Sequence, residues 1–169
     1  MLNHRLEKEL NKQVNAELYS AYLYLSMSAY FESINLPGAA SWTRVQAEEE
    51  QFHAMKIFDF INERGGRAKL VAIESPPVEW DGIVNVFEEI LKHEQHVTSL
   101  IYNLMDIATE EKDYATTAFL QWFITEQVEE EASVTEMLNK LQLIGGKGHG
   151  LLMLDKELAQ RTFVPPAAN

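Results

Sequence analysis

The 169-residue sequence contains no cysteine. That removes disulfides, zinc ribbons, cysteine-held iron sites and thiol nucleophiles together. Basic residues are also short: 14 Lys and Arg stand against 26 Asp and Glu, a formal charge of −12. A surface of that sign repels phosphate, so nucleic acid is not an expected partner, whereas cations are. No apolar run reaches membrane length. The most apolar stretch, 18–31, is rich in Tyr and Ser and well short of the roughly 20 residues a spanning helix needs. The opening MLNHRLEKELNK carries charge throughout and has no apolar centre, so no secretory signal is read and a cytoplasmic protein is expected.

Proline and glycine number only 5 and 8, and they cluster. Asn35–Leu36–Pro37–Gly38 reads as a turn, Gly65–Gly66 as a helix stop, and Pro76–Pro77 with Trp80–Asp81–Gly82 as a loop. Gly145, Gly146 and Gly148 make a further break. Between these points the chain is rich in Glu, Leu, Ala and Lys and repeats apolar residues at three and four, the helical period. Helices are expected over 3–34, 38–65, 82–110, 113–144 and, shorter, 149–161, with Asp113 as the N-cap of the fourth. The fold class is therefore all-α: a four-helix bundle over 1–145, then a short C-terminal helix and tail over 146–169. The connection at 66–81 is long for a bundle. Its length suffices to run back along a helix of roughly 42 Å, which makes the second and third helices parallel through a crossover.

What stands inside the apolar stripes is informative. Glu17 lies among Leu10, Val14, Ala21, Leu25 and Phe31, with Tyr24 two turns on. Glu50 and His53 share a face with Trp42, Ile57 and Ile61. Glu94 lies among Phe87, Ile90 and Ile101, and Glu126, Gln127 and Glu130 lie among Phe119, Trp122, Phe123 and Val134. One such Glu usually tilts to solvent, but four helices doing this near mid-length ask for a shared partner, because unpaired glutamate is almost never buried. The spacing is regular too. Glu17 to Glu50 and Glu94 to Gln127 are both 33 residues, and a shift of 77 carries Glu17 to Glu94, Glu50 to Gln127 and His53 to Glu130. Glu50-x-x-His53 puts a carboxylate and an imidazole on one face, able to ligate one ion. Four glutamates would balance two divalent ions. Carboxylate ligands alone leave iron, manganese and zinc open.

Over essentially its whole length the chain resembles the prokaryotic non-haem ferritins. The carrying stretches are NAELYSAYLYLSM (15–27), EEEQFHAMKIFDFINERGG (48–66), FLQWFITEQVEEEA (119–132) and LDKELAQR (154–161). The resemblance implies a ferritin-like bundle that oxidises Fe(II) with dioxygen or hydrogen peroxide and stores Fe(III) mineral in a self-assembled cage, usually of 24 subunits. It implies a first iron on Glu17, Glu50 and His53, with Glu50 bridging. Glu94 and Glu130 would hold a second iron, and Gln127 would hydrogen-bond beside it. It also implies a third, weaker site on Glu49, Glu126 and Glu129 that shares Glu130, and an electron-supplying role for Tyr24. Haem is not expected, since Gln51 stands where the haem-binding relatives carry a methionine. The other histidines, His4, His93, His96 and His149, read as solvated, and Met27, Met55, Met105, Met137 and Met153 as core filler. Two rival readings are a diiron enzyme acting on an organic substrate, whose pocket Trp122, Phe123, Phe119 and Tyr24 would crowd, and a metal-free interaction bundle.

Overall fold

The computed structural model describes residues 1–165; 166–169, the end of the expected tail, lie outside the described residues. Five helices carry them: α1 (His4–Ser33), α2 (Pro37–Glu63), α3 (Gly82–Glu110), α4 (Tyr114–Ile144) and α5 (Gly148–Leu158). Several helix ends have a local cause. The Asn3 side chain accepts from the Arg5 amide and the Asp113 side chain from the Thr116 amide, each satisfying an orphan donor of a first turn. Pro37 opens α2, where its missing N–H costs nothing. Gly145 ends α4 in the left-handed region at φ 69°, a conformation that strains residues with a Cβ. The expected bounds hold to within about three residues. The largest difference is at α5, which stops at Leu158, so that Arg161 leaves the helix.

The long connection behaves as its length required. Residues 64–81 have no regular secondary structure and are tied along the outside of α1 in chain order. Asn11 donates to the Arg67 carbonyl and accepts from the Lys69 amide. Asn15 then donates to the Ala72 carbonyl, Ser26 to that of Pro77 and Tyr30 to that of Trp80. The strap thus climbs α1 from its first turns to its last, and delivers α3 at the end where α2 began. α2 and α3 are therefore parallel, the crossover form of the bundle.

The core divides into two halves. One gathers Leu6, Leu10 and Val14 of α1 with Ile57 and Ile61 of α2, Ile101 and Leu104 of α3, and Leu120 and Phe123 of α4. The other takes Tyr24, Met27 and Phe31, then Trp42, then Phe87 and Ile90, then Val134 and Leu141. On every helix the residues between the halves are the polar ones. The 77-residue echo exchanges the halves: Leu10 maps to Phe87 and Trp42 to Phe119, as a two-fold across the bundle axis must do, and only the polar level maps onto itself.

Some positions differ from the expectation. Leu25 is exposed, and Leu23 and Met27 take the inward face of α1 instead; eight residues past Glu17, Leu25 has rotated about 80° off that face. Met55 and Met153 are exposed rather than core filler, since each stands on the outward side of its helix.

The fifth helix is held by its own bundle through an unusual cap. α2 has no capping side chain at its own N-terminus. Asp155 of α5 supplies one, accepting from the amides of Gly38 at 3.1 Å and Ala39 at 2.9 Å. The fit leaves no room for a side chain at position 38, where a Cβ would stand 1.7 Å from the Asp155 carbonyl oxygen. Leu154 and Leu158 then bury beside Trp42 and Leu141. Asp155→Ala leaves two buried N–H groups without a partner and should cost about 1–3 kcal/mol. Denaturant unfolding measures this, and a loss under about 0.5 kcal/mol, the ordinary size of a surface substitution, would mean the cap is incidental.

Candidate metal centre

At the level between the two core halves, Glu17, Glu50 and His53 each present a ligand atom, and these atoms all lie within 4.8 Å of one another. His53 and Glu50 are one turn apart on α2, with His53 Nδ1 3.7 Å from Glu50 Oε2. The imidazole is fixed by the rings of Trp122 at 5.3 Å, Phe123 at 6.0 Å and Phe52 at 6.3 Å between centroids. Opposite them Glu94 is fully buried, accepts from the Tyr24 hydroxyl, and accepts from the Gln127 amide at 3.2 Å. Glu130 is buried and accepts from the Gln46 amide at 2.9 Å.

Two ligand supports lie outside the sequence expectation. Gln13 and Gln46 are buried and hold Glu17 and Glu130. Each stands four residues before an expected ligand on the same helix, Glu17 or Glu50, so the helical period was the signal available.

Among the described residues no Lys or Arg pairs with Glu17, Glu50, Glu94 or Glu130. Burial first, then the charge of Glu50, holds the Glu17 carboxyl well above the usual range. Burial and the charge of Glu94 do the same to Glu50, and burial and Glu130 push Glu94 up to about 7. Burial also raises Tyr24, with the charge of Glu94 second, so its hydroxyl remains a donor. Such a level costs several kcal/mol for each ion left unpaired. Glu17, Glu50 and His53 fit a divalent cation as substrate. Glu17 Oε2 is buried with no hydrogen-bond partner, an oxygen lone pair kept free in a site of oxygen and imidazole donors.

The third expected set is looser. Glu49 is half-buried, close to Glu126 and Glu130, and takes an ion pair from Arg161. Burial raises its carboxyl to about 7 against the opposing pull of that arginine. Glu126 is half-buried and raised mainly by burial, and Glu129 is exposed. Among the other histidines, His4, His96 and His149 are exposed, but His93 is not solvated as expected. It is half-buried beside Tyr19 and Tyr24, pairs with the Ser20 hydroxyl at 2.8 Å, and burial lowers it to about 4. Its partners are all on α1, which the period of α3 alone does not reveal.

No helix among the described residues is long and apolar enough to cross a membrane. Residues 7–144 match the family model of the ferritin-like domain. A bacterial non-heme ferritin of Staphylococcus saprophyticus is 45% identical over 163 residues, covering 96% of this chain and 98% of its own, and one of Staphylococcus aureus is 42% identical over the same span. Two solved structures of Archaeoglobus fulgidus ferritin, one engineered to a closed form and one described as open-pore, are both 54% identical. They superpose with TM-scores of 0.95 and 0.94 over 97% and 96% of this chain and all of theirs. A buried carboxylate level, a crossover bundle and these likenesses converge: the chain belongs to the ferritin family of iron-storage proteins.

Proposed function

We propose that the chain is a ferroxidase that takes two Fe(II) ions per subunit at the buried level and passes Fe(III) to a mineral inside a hollow homo-oligomeric cage of 24 subunits. The observation that carries this is the division of the core by ionisable residues on all four helices, with no Lys or Arg among the described residues bonded to Glu17, Glu50, Glu94 or Glu130. In this reading Glu17, Glu50 and His53 hold the first ion, Glu50 bridges, and Glu94 and Glu130 hold the second. Gln127 steadies Glu94. Each Fe(II) gives up one electron. Dioxygen takes two electrons and two protons to leave as hydrogen peroxide, and hydrogen peroxide as oxidant takes the same number to become two waters. Two metals held together let one oxidant collect both electrons. Tyr24, which donates its hydroxyl to Glu94, would supply a further electron, together with one from a third Fe(II), where dioxygen takes four electrons and four protons to become two waters. Glu49, Glu126 and Glu129, sharing Glu130, form a third and weaker site.

A cavity for mineral cannot lie within one bundle, so the function requires a closed symmetric shell. The outer surface supports this. Tyr22 and Leu25 of α1 are exposed beside the strap, whose Leu70, Val71 and Val78 are exposed as well, an apolar face that a lone chain leaves in water. Phe58 of α2 is already partly buried in its own bundle and does not add to that face. The working partners are Fe(II), the oxidant and further copies of this chain, in the cytoplasm, without haem, membrane or nucleic acid.

Size-exclusion chromatography followed by anaerobic Fe(II) titration tests the reading. The expected results are a particle of many subunits rather than a 19.3 kDa monomer, and at least two tight Fe(II) per chain. A stoichiometry below one ion per chain sinks the dinuclear site. A dominant monomer sinks storage even where oxidation survives.

A further inference from the structure

Beyond the end of α5 the chain turns back over α2. The Arg161 guanidinium carbon lies 4.5 Å from the Trp42 ring centroid, and its Nη2 donates to the Glu49 carboxylate. Its Nη1 is buried with no hydrogen-bond partner. Two residues later Phe163 packs on Phe52 at 5.7 Å, and Phe52 lies against His53. Trp42, Glu49 and Phe52 are seven and three residues apart on α2, so they form one ridge. The segment 159–163 is therefore a strap along that ridge, anchored at Leu158 in the core and at Phe163 on Phe52.

The chemistry at the middle of the strap is a competition. Glu49 lies close to Glu130, Glu126 and His53, between the dinuclear level and the half-exposed carboxylates. A guanidinium stays charged at any working pH. We infer that Arg161 is a built-in competitor for the third metal site: it occupies Glu49 in the metal-free chain, and a third ion binds by displacing it. This rests on reading Glu49, Glu126, Glu129 and Glu130 as that site. Arg161 bonds none of Glu17, Glu50, His53 or Glu94, so the first two ions meet no such rival. The unpaired Nη1 works in the same direction. A buried donor without an acceptor is costly, so the contact is easily released once another cation offers Glu49 a better partner. Arg161 thereby sets an order of loading, dinuclear level first and third site second.

The test is calorimetric titration of the full-length oligomer with Zn(II), which binds carboxylate sites and is not oxidised. The set is the wild type, Arg161→Gln, Arg161→Lys and the double variant Arg161→Gln with Glu49→Gln. Two tight ions per chain should persist in all four. A third, weaker event should tighten about tenfold in Arg161→Gln, a coupling of ordinary size between two competing cations. It should stay near wild type in Arg161→Lys, which keeps the charge, and vanish in the double variant. A third event absent throughout, unmoved by Arg161→Gln, or surviving in the double variant overturns the competitor. Loss of the two tight ions from the wild type would overturn the dinuclear reading instead, so the two failures are distinguishable.

Discussion

Glu50→Ala should slow the fast phase of Fe(II) oxidation at least about a hundredfold, while Glu129→Ala stays within about threefold of wild type. The ranking follows from where the two side chains stand, although both belong to acidic runs of three. Glu50 is 2% exposed, shares ligand distance with Glu17 and His53, and feels the charge of Glu94 across the bundle. Removing it takes a ligand from each proposed ion at once. A supporting partner one step outside a metal site is already worth about 10–100-fold, and a shared ligand must be worth more. Glu129 is exposed and belongs only to the proposed third set. Stopped-flow traces at saturating Fe(II) measure the difference. Equal losses in the two variants would mean that the buried level is not where oxidation occurs.

How far these roles can be read without coordinates depends on what kind of information fixes them. The five helices are legible because breakers are few and clustered, and the direction of the crossover follows from the length of 64–81 against the length of a helix. Glu17, Glu50, His53, Glu94, Gln127 and Glu130 are legible because a polar residue at an apolar position of a repeating pattern is a local contradiction, and the 77-residue echo ties six such contradictions together. Arg161 and Asp155 are not legible this way. Each acts on α2 from more than a hundred residues away, and neither interrupts an apolar pattern. Leu25 and Met55 fail for the opposite reason: an apolar residue on a long helix satisfies the period roughly but lies off the buried face, where an oligomer rather than a core has use for it. His93 is lost because Tyr19, Ser20 and Tyr24, the residues that bury it, lie on another helix, which the period of α3 cannot show.

Stability of the metal-free protein should fall as pH rises from 5 to 8, and adding two equivalents of a divalent ion at pH 8 should restore it. The sign follows from the buried carboxyls. Glu17, Glu50 and Glu94 are raised above the unfolded value near 4.3, Glu94 to about 7, mainly by burial. Between those values the folded chain binds more protons than the unfolded one, so unfolding becomes easier with each step up in pH. The loss begins near the unfolded value and levels off only above the folded one. An ionised carboxylate left buried and unpaired costs on the order of 3 kcal/mol. For a chain of this size that lowers the thermal midpoint by roughly 6–12 °C. Divalent ions replace the protons as partners, so the metal-loaded protein should show little of this slope. General charge repulsion at a net charge of −12 also grows with pH, and Glu17→Leu separates the two effects. That variant removes one buried acid, keeps the surface charge, and should melt higher than wild type at pH 8 and close to it at pH 5. Calorimetric melts of metal-free wild type and Glu17→Leu across this range decide the matter. Identical slopes in both proteins would assign the pH dependence to the surface and leave the buried level without the energetic strain that metal relieves.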